Sequence, residues 1–330
     1  MKYIAVLSSL IALSSAKLYS ASERYVGNTF YDAFEFQAVS DPTHGRVNYV
    51  DMWTAQGRNL TFTTGMDYRN PPPSPAAHLP PPDDTFILRT DCWSTLSPSG
   101  PGRDSVRIQS KNLYKNHLAV FNVRHMPQGC GTWPAIWYAD VNNWPGAGEI
   151  DVLEGVNNVT PDASTLHTTA GCTMPDNRGM FGSPTQSDCN HDVNGNAGCG
   201  VRMNNGNSFG PNFNAVGGGW FVMERTDDAI RVWFWERNDP NVPASIKNRQ
   251  DSLLSEELAE PQALFPNTNC DFNSHFGPLR IIINLTICGD WAGSTFNNDG
   301  CPGSCIDLAN NNPSAFGEAY FDIANIDLYT

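Results

Sequence analysis

The chain has 330 residues, of which 34 are acidic and 20 basic, for a formal net charge of −14. A surface this acidic repels phosphate backbones, which excludes nucleic acid as a partner and leaves a neutral ligand open. No run of residues approaches the ~20 apolar positions that a membrane-spanning helix requires, so no membrane partner is expected either.

At the N-terminus, MKYIAVLSSLIALSSAKLYSASERY places Lys2 before an apolar run from Ile4 to Leu13, followed by small residues. That is the layout of a secretory leader over residues 1–16, with a cut that could fall as late as residue 21. The last residues, Asn325–Thr330, are too polar for a lipid-anchor signal. The mature protein is expected to be secreted, extracellular and monomeric.

Residues 17–330 could form one large β domain or two smaller ones. Residues 70–84 (NPPPSPAAHLPPPDD) read as an extended loop of polyproline character, not a domain linker. Strand-like sequence resumes at Thr85–Arg89, and too little chain precedes it for a separate domain. A single domain follows. Next come short runs rich in β-branched and aromatic residues at Ser105–Ser110, His117–Arg124, Glu149–Gly155 and Thr165–Thr169. Trp220–Arg225 and Ile230–Glu236 flank Asp227-Asp228 as a hairpin. Asp251–Ala259 is the one short helix predicted, and Leu279–Cys288 and Ala319–Tyr329 are further strands. Many short strands divided by turn residues make the chain all-β, a sandwich or a barrel.

Nine cysteines lie at 92, 130, 172, 189, 199, 270, 288, 301 and 305. In an exported protein these are disulfide partners before they are metal ligands, and an odd count leaves one thiol over. Their connectivity is open. Sequons at Asn59, Asn158 and Asn284 also fit export.

The chemistry is concentrated in Gly148-Glu149-Ile150-Asp151-Val152-Leu153-Glu154-Gly155. In a strand, Glu149 and Asp151 share one face while Ile150 and Val152 point into the core. Plain alternation would bury Glu154 with no partner, at high cost. One extra residue, a β-bulge, returns it to the face of the other two acids. Like charges this close oppose stability, but they suit a reaction that needs carboxyl groups with separated pKa values. Glycosidic hydrolysis is one: a carboxylate attacks carbon and a carboxylic acid protonates the leaving oxygen. A solvated acidic face or a calcium site would use the same spacing, so the strand alone does not decide.

Its surroundings do. Met126–Trp137 (MPQGCGTWPAIW) and Asn143-Trp144-Pro145 precede the acidic strand, and Leu166-His167-Thr168, Ile282–Thr286 and Cys288–Gly293 follow it. From about Tyr25 to Thr330 the sequence resembles glycoside hydrolase family 16, in its fungal laminarinase-type endo-1,3(4)-β-glucanase branch. The resemblance implies a β-jelly-roll sandwich of two curved antiparallel sheets with a concave substrate cleft. It makes Glu149 the nucleophile and Glu154 the general acid/base of a retaining glycosidase, with Asp151 between them tuning Glu149. Trp137, Trp144 and Trp291 match cleft-lining positions, and His167 a cleft histidine.

Indoles suit a glycan cleft because sugars stack their C–H faces on aromatic rings. A tryptophan is nonetheless more often core than platform. Trp133 shares strand parity with Trp137, and Trp233 and Trp235 are assigned to the core. His167 could equally be a hydrogen-bonded structural residue. The expected partner is a β-glucan polysaccharide. No cofactor or metal is called for, although the resemblance allows Asp322 on the last strand to hold a calcium ion. Cys92 stands where the family pattern has no cysteine and is the expected free thiol. A transglycosylase on the same glucans, or a non-catalytic glucan-binding protein, would share the fold; the latter typically lacks the two glutamates.

Overall fold

Period-two alternation sorts the side chains of this chain onto two antiparallel sheets, seen in a computed structural model that describes residues 17–63 and 85–330. The expected leader, residues 1–16, and the Pro-rich segment 70–84, expected as an extended loop, lie outside the described residues. The inner sheet runs Ser183–Pro184, Cys199–Arg202, Ala163–His167, Glu149–Glu154, Thr132–Ala139, Arg280–Ile287, Arg107–Ser110 and Phe34–Phe36. The outer sheet runs Ser252–Leu254, Leu18–Tyr25, Tyr320–Tyr329, His117–His125, Gly219–Arg225, Ala229–Glu236 and Ala263–Pro266. Phe86–Arg89 pairs with its last-in-sequence strand, and Thr61–Thr63 pairs in turn with Phe86–Arg89. The fold is a jelly-roll sandwich.

The strand His117–His125 shows how alternation builds two cores from one sheet. Phe121 and Val123 point inward to meet Ile136, Tyr138, Ile150 and Ile283 of the other sheet. Leu118 and Val120 point outward to a second cluster with Tyr19, Trp220, Trp233 and Trp235. The assignment of Trp233 and Trp235 to a core holds, although it is this outer one. A third cluster gathers Leu285, Ile287, Phe296 and Phe316 around the Cys130–Cys301 and Cys288–Cys305 disulfides. Two further disulfides, Cys172–Cys270 and Cys189–Cys199, leave Cys92 as the buried free thiol.

The hairpin is present, with Gly219–Arg225 paired in register against Ala229–Glu236. The predicted helix at Asp251–Ala259 is not. Ser252–Leu254 pairs with Leu18–Ser20 as an edge strand, and Ser255–Leu258 forms a single 3₁₀ turn. The period misled because Leu253 and Leu258 are buried from two different elements, not from one helical face. At Asp322, where the resemblance allows calcium, both carboxylate oxygens accept from Arg124, at 2.9 Å each. A guanidinium already satisfies the group, so these residues do not fit a calcium ion.

Candidate active site

Against the neighbouring strand Thr132–Ala139, Asp151 lies opposite Trp137 but Leu153 lies opposite Ile136, so Val152 is the inserted residue of a bulge. Ile150, Val152 and Leu153 face the core, while Glu149, Asp151 and Glu154 lie along one face of the strand. The sequence expectation is met in detail.

Each glutamate is held by an indole. Trp144 Nε1 donates to Glu149 Oε2 at 2.6 Å, and Trp133 Nε1 donates to Glu154 Oε1 at 2.9 Å. The backbone N–H of Glu154 donates to Asp162 Oδ1 at 2.9 Å, which pins the bulge. His167 lies directly opposite Glu149 on the next strand, with Nε2 3.5 Å from Asp151 Oδ2 and 3.9 Å from Glu149 Oε1. Asp151 is 2 % exposed and its Oδ2 has no hydrogen-bond partner.

Burial without a lysine or arginine in ion-pair contact sets the electrostatics. Desolvation pushes Glu149 up to about 7, opposed by the Trp144 hydrogen bond and the positive charge of Arg107. Desolvation also pushes Glu154 up to about 7; the Trp133 hydrogen bond opposes it and the Glu149 charge adds to it. Asp151 is driven well above the usual carboxylate range, first by burial and then by Glu149 and Glu154. Burial drives the His167 imidazole down, against the pull of Glu154. The Arg107 charge favours the ionised form of Glu149, and the Glu149 charge in turn favours the protonated form of Glu154.

The aromatic residues divide. Trp144 is 40 % exposed, and Trp133, Trp137 and Trp291 are half-buried. Trp137 Nε1 donates to Asn284 Oδ1 at 2.7 Å, and the Arg107 guanidinium stacks 5.0 Å from its ring centre. Trp291 meets Trp133 edge-on, 5.7 Å between ring centres. Sequence reasoning named Trp137, Trp144 and Trp291 but passed over Trp133, whose parity with Trp137 put it on the same strand face without deciding between core and cleft. It read Asn284 as a sequon. The structure buries that amide, where it accepts from Trp137 and donates to the Tyr49 hydroxyl at 3.1 Å. Glu149, Asp151 and His167 could each offer one atom to a common ion.

Two paired acids on a bulged strand, each capped by an indole on one jelly-roll sheet, define a glycoside hydrolase catalytic domain. The chain belongs to glycoside hydrolase family 16: residues 34–329 match the model described as "XgeA-like, catalytic GH16 domain". It is 40 % identical over 318 residues to a probable glycosidase of Schizosaccharomyces pombe, covering 95 % of this chain and 70 % of that protein. It is 37 % identical over 335 residues to a probable endo-1,3(4)-β-glucanase of Aspergillus clavatus, covering 99 % of this chain. The chain spans about half the length of that relative, 48 %. Among solved structures, laminarinase 16A of Phanerochaete chrysosporium, holding two 6-O-glucosyl-laminaritriose molecules, superposes with a TM-score of 0.89 at 52 % identity. That match covers 95 % of this chain and all of the other.

Proposed function

We propose that this chain is a secreted, monomeric endo-β-glucanase that hydrolyses internal β-1,3 bonds, and mixed β-1,3/1,4 bonds, of a glucan with retention of configuration. The observation that carries the reading is the pair Glu149 and Glu154, both with raised proton affinity, on one bulged strand with an indole N–H on each. Glu149 attacks the anomeric carbon as Glu154 gives its proton to the departing glycosidic oxygen. A glycosyl ester on Glu149 results, and Glu154 is left as a carboxylate. Glu154 then takes a proton from water, the water oxygen bonds to the anomeric carbon, and Glu149 leaves as a carboxylate. Asp151 and His167 order the charge beside the nucleophile, and Trp137, Trp144 and Trp291 supply stacking faces for sugar rings. Strand pairing that starts at Leu18 supports a leader ending near residue 16, since a cut at 21 would remove half of Leu18–Tyr25.

Relatives named as endo-1,3(4)-β-glucanases and the laminarinase structural match support the substrate class. A second reading has a specific neighbour behind it: a family 16 "elongating" β-1,3-glucosyltransferase superposes with a TM-score of 0.83 at 34 % identity. Release of reducing ends from laminarin, compared with lichenan, cellulose and xylan, tests the first reading. Proton NMR of the earliest products should show the β-anomer first. Products longer than the donor would favour the transferase, and no action on laminarin or lichenan would overturn both.

A further inference from the structure

His167 lies between Glu149 and a disulfide-closed loop that contains Asn196. The Cys189–Cys199 disulfide closes that loop across ten residues. It is tied to the chain just after His167, where Thr168 N donates to Cys189 O at 2.8 Å and His191 N donates to Thr168 O at 3.0 Å. Inside it, Asn194, Gly195 and Asn196 are left-handed in succession, with φ of 52°, 66° and 60°. Asparagine and glycine are the residues that adopt this conformation at least cost. The resulting turn brings the Asn196 side-chain oxygen 2.9 Å from His167 Nδ1. Gly198 closes the other side: a Cβ there would come within 2.8 Å of His167 Cε1. The same loop sets the His191 ring against Trp144, 5.1 Å between centres.

A neutral imidazole carries one proton, and the partner of one nitrogen decides where it sits. With Asn196 accepting, the proton is on Nδ1 and Nε2 presents a lone pair towards Asp151 Oδ2 and Glu149 Oε1. A protonated Asp151 can donate into that lone pair, and this accounts for a buried carboxyl oxygen that otherwise has no partner. The opposite tautomer would donate to Asp151 and favour a carboxylate there, beside Glu149. Two adjacent anions would then hold a proton on the nucleophile.

We propose that Asn196 is a positioning residue: its side-chain oxygen fixes His167 in the tautomer that offers a lone pair to Asp151, leaving the cleft's negative charge on Glu149. The inference rests on the hydrolase reading above. The titratable groups acting on His167 are Glu149, Asp151 and Glu154 from the catalytic strand and His191 from the loop itself.

Asn196→Gly tests it, because glycine keeps the left-handed backbone and removes only the amide. The expected result is a fall in kcat of about tenfold or more, a smaller change in KM, and an acid limb of the rate profile moved to higher pH. Asn196→Asp restores an acceptor oxygen and should recover most of kcat. Nitrogen-15 NMR of the ring, which does not depend on turnover, should find the proton on Nδ1 in the wild type and a mixture in Asn196→Gly. A proton on Nε2 in the wild type would overturn the inference, as would unchanged kcat and pH profile in Asn196→Gly. Equal losses in both variants with a lower melting temperature would also overturn it, by reducing Asn196 to a fold residue. A wild type inactive on laminarin and lichenan would instead sink the hydrolase reading, leaving the NMR result to stand alone.

Discussion

Both sheets of this protein bury acids, and they treat them in opposite ways. On the outer sheet Glu224 accepts from the Tyr19 hydroxyl and from Arg231, each at 2.6 Å, with Arg231 directly across the hairpin. Asp327, 1 % exposed, is bidentate to Arg249 at 2.8 and 2.7 Å and also accepts from Asn325. On the inner sheet, no lysine or arginine among the described residues forms an ion pair with Glu149, Asp151, Glu154 or Asp162. Breaking a buried ion pair strands a charge and is costly, whereas a carboxyl buried without a cation stays protonated instead. Satisfied acids therefore hold the fold together, and unsatisfied ones are held in place by it, at a site where a proton must come and go.

That contrast predicts opposite mutational outcomes. Glu149→Ala removes the proposed nucleophile and should lower kcat by a factor on the order of 10⁴ or more, while the melting temperature stays level or rises as like-charge repulsion is relieved. Activity against laminarin beside calorimetry reads both; appreciable residual turnover, or a sharp fall in melting temperature, would erase the distinction. Arg249→Ala is the mirror experiment. It strands Asp327 and should cost about 3 kcal/mol of stability, or a melting temperature lower by roughly 6–12 °C, with kcat per folded molecule unchanged.

The same contrast explains what could be read from the sequence. The strand Glu149–Glu154 was legible because its acids violate the period-two pattern, and a bulge is the economical way to reconcile Glu154 with a buried Ile150 and Val152. Cysteine parity was legible as arithmetic, and the family pattern then singled out Cys92. The outer-sheet acids were not legible: Asp327 pairs with Arg249 from 78 residues away, and nothing in either neighbourhood announces the other. Asn196 was hidden for the same reason, since its meaning depends on a turn that brings it back to His167 across 29 residues. Trp133 was different. Strand parity placed it beside Trp137, and what decided between core and cleft was a hydrogen bond to Glu154, a tertiary contact no local pattern encodes.

The smallest expected effect is the most direct test of the idea that the cleft acids oppose folding. Burial raises Glu154 to about 7 in the native state, against ~4.3 for an exposed glutamate in the unfolded chain. Between those values the native state binds the proton and the unfolded state has released it, so the native state carries more protons. Stability then falls as pH rises through this window. The favourable contribution is complete below the unfolded value and has been lost once pH passes the native one. Glu154→Gln removes the titration while nearly preserving shape. Near pH 4.5 the variant and the wild type should therefore be about equally stable. By pH 8 the variant should be ahead by about 1–2 kcal/mol, less than the full shift would give at 1.36 kcal/mol per unit, because Glu149 shares the burden. Urea melts of both proteins at a series of pH values measure the gap. A gap that is flat with pH, or that widens towards acid, would mean that Glu154 is as well compensated as Asp327. The division between the two sheets would then fail at the residue where it matters most.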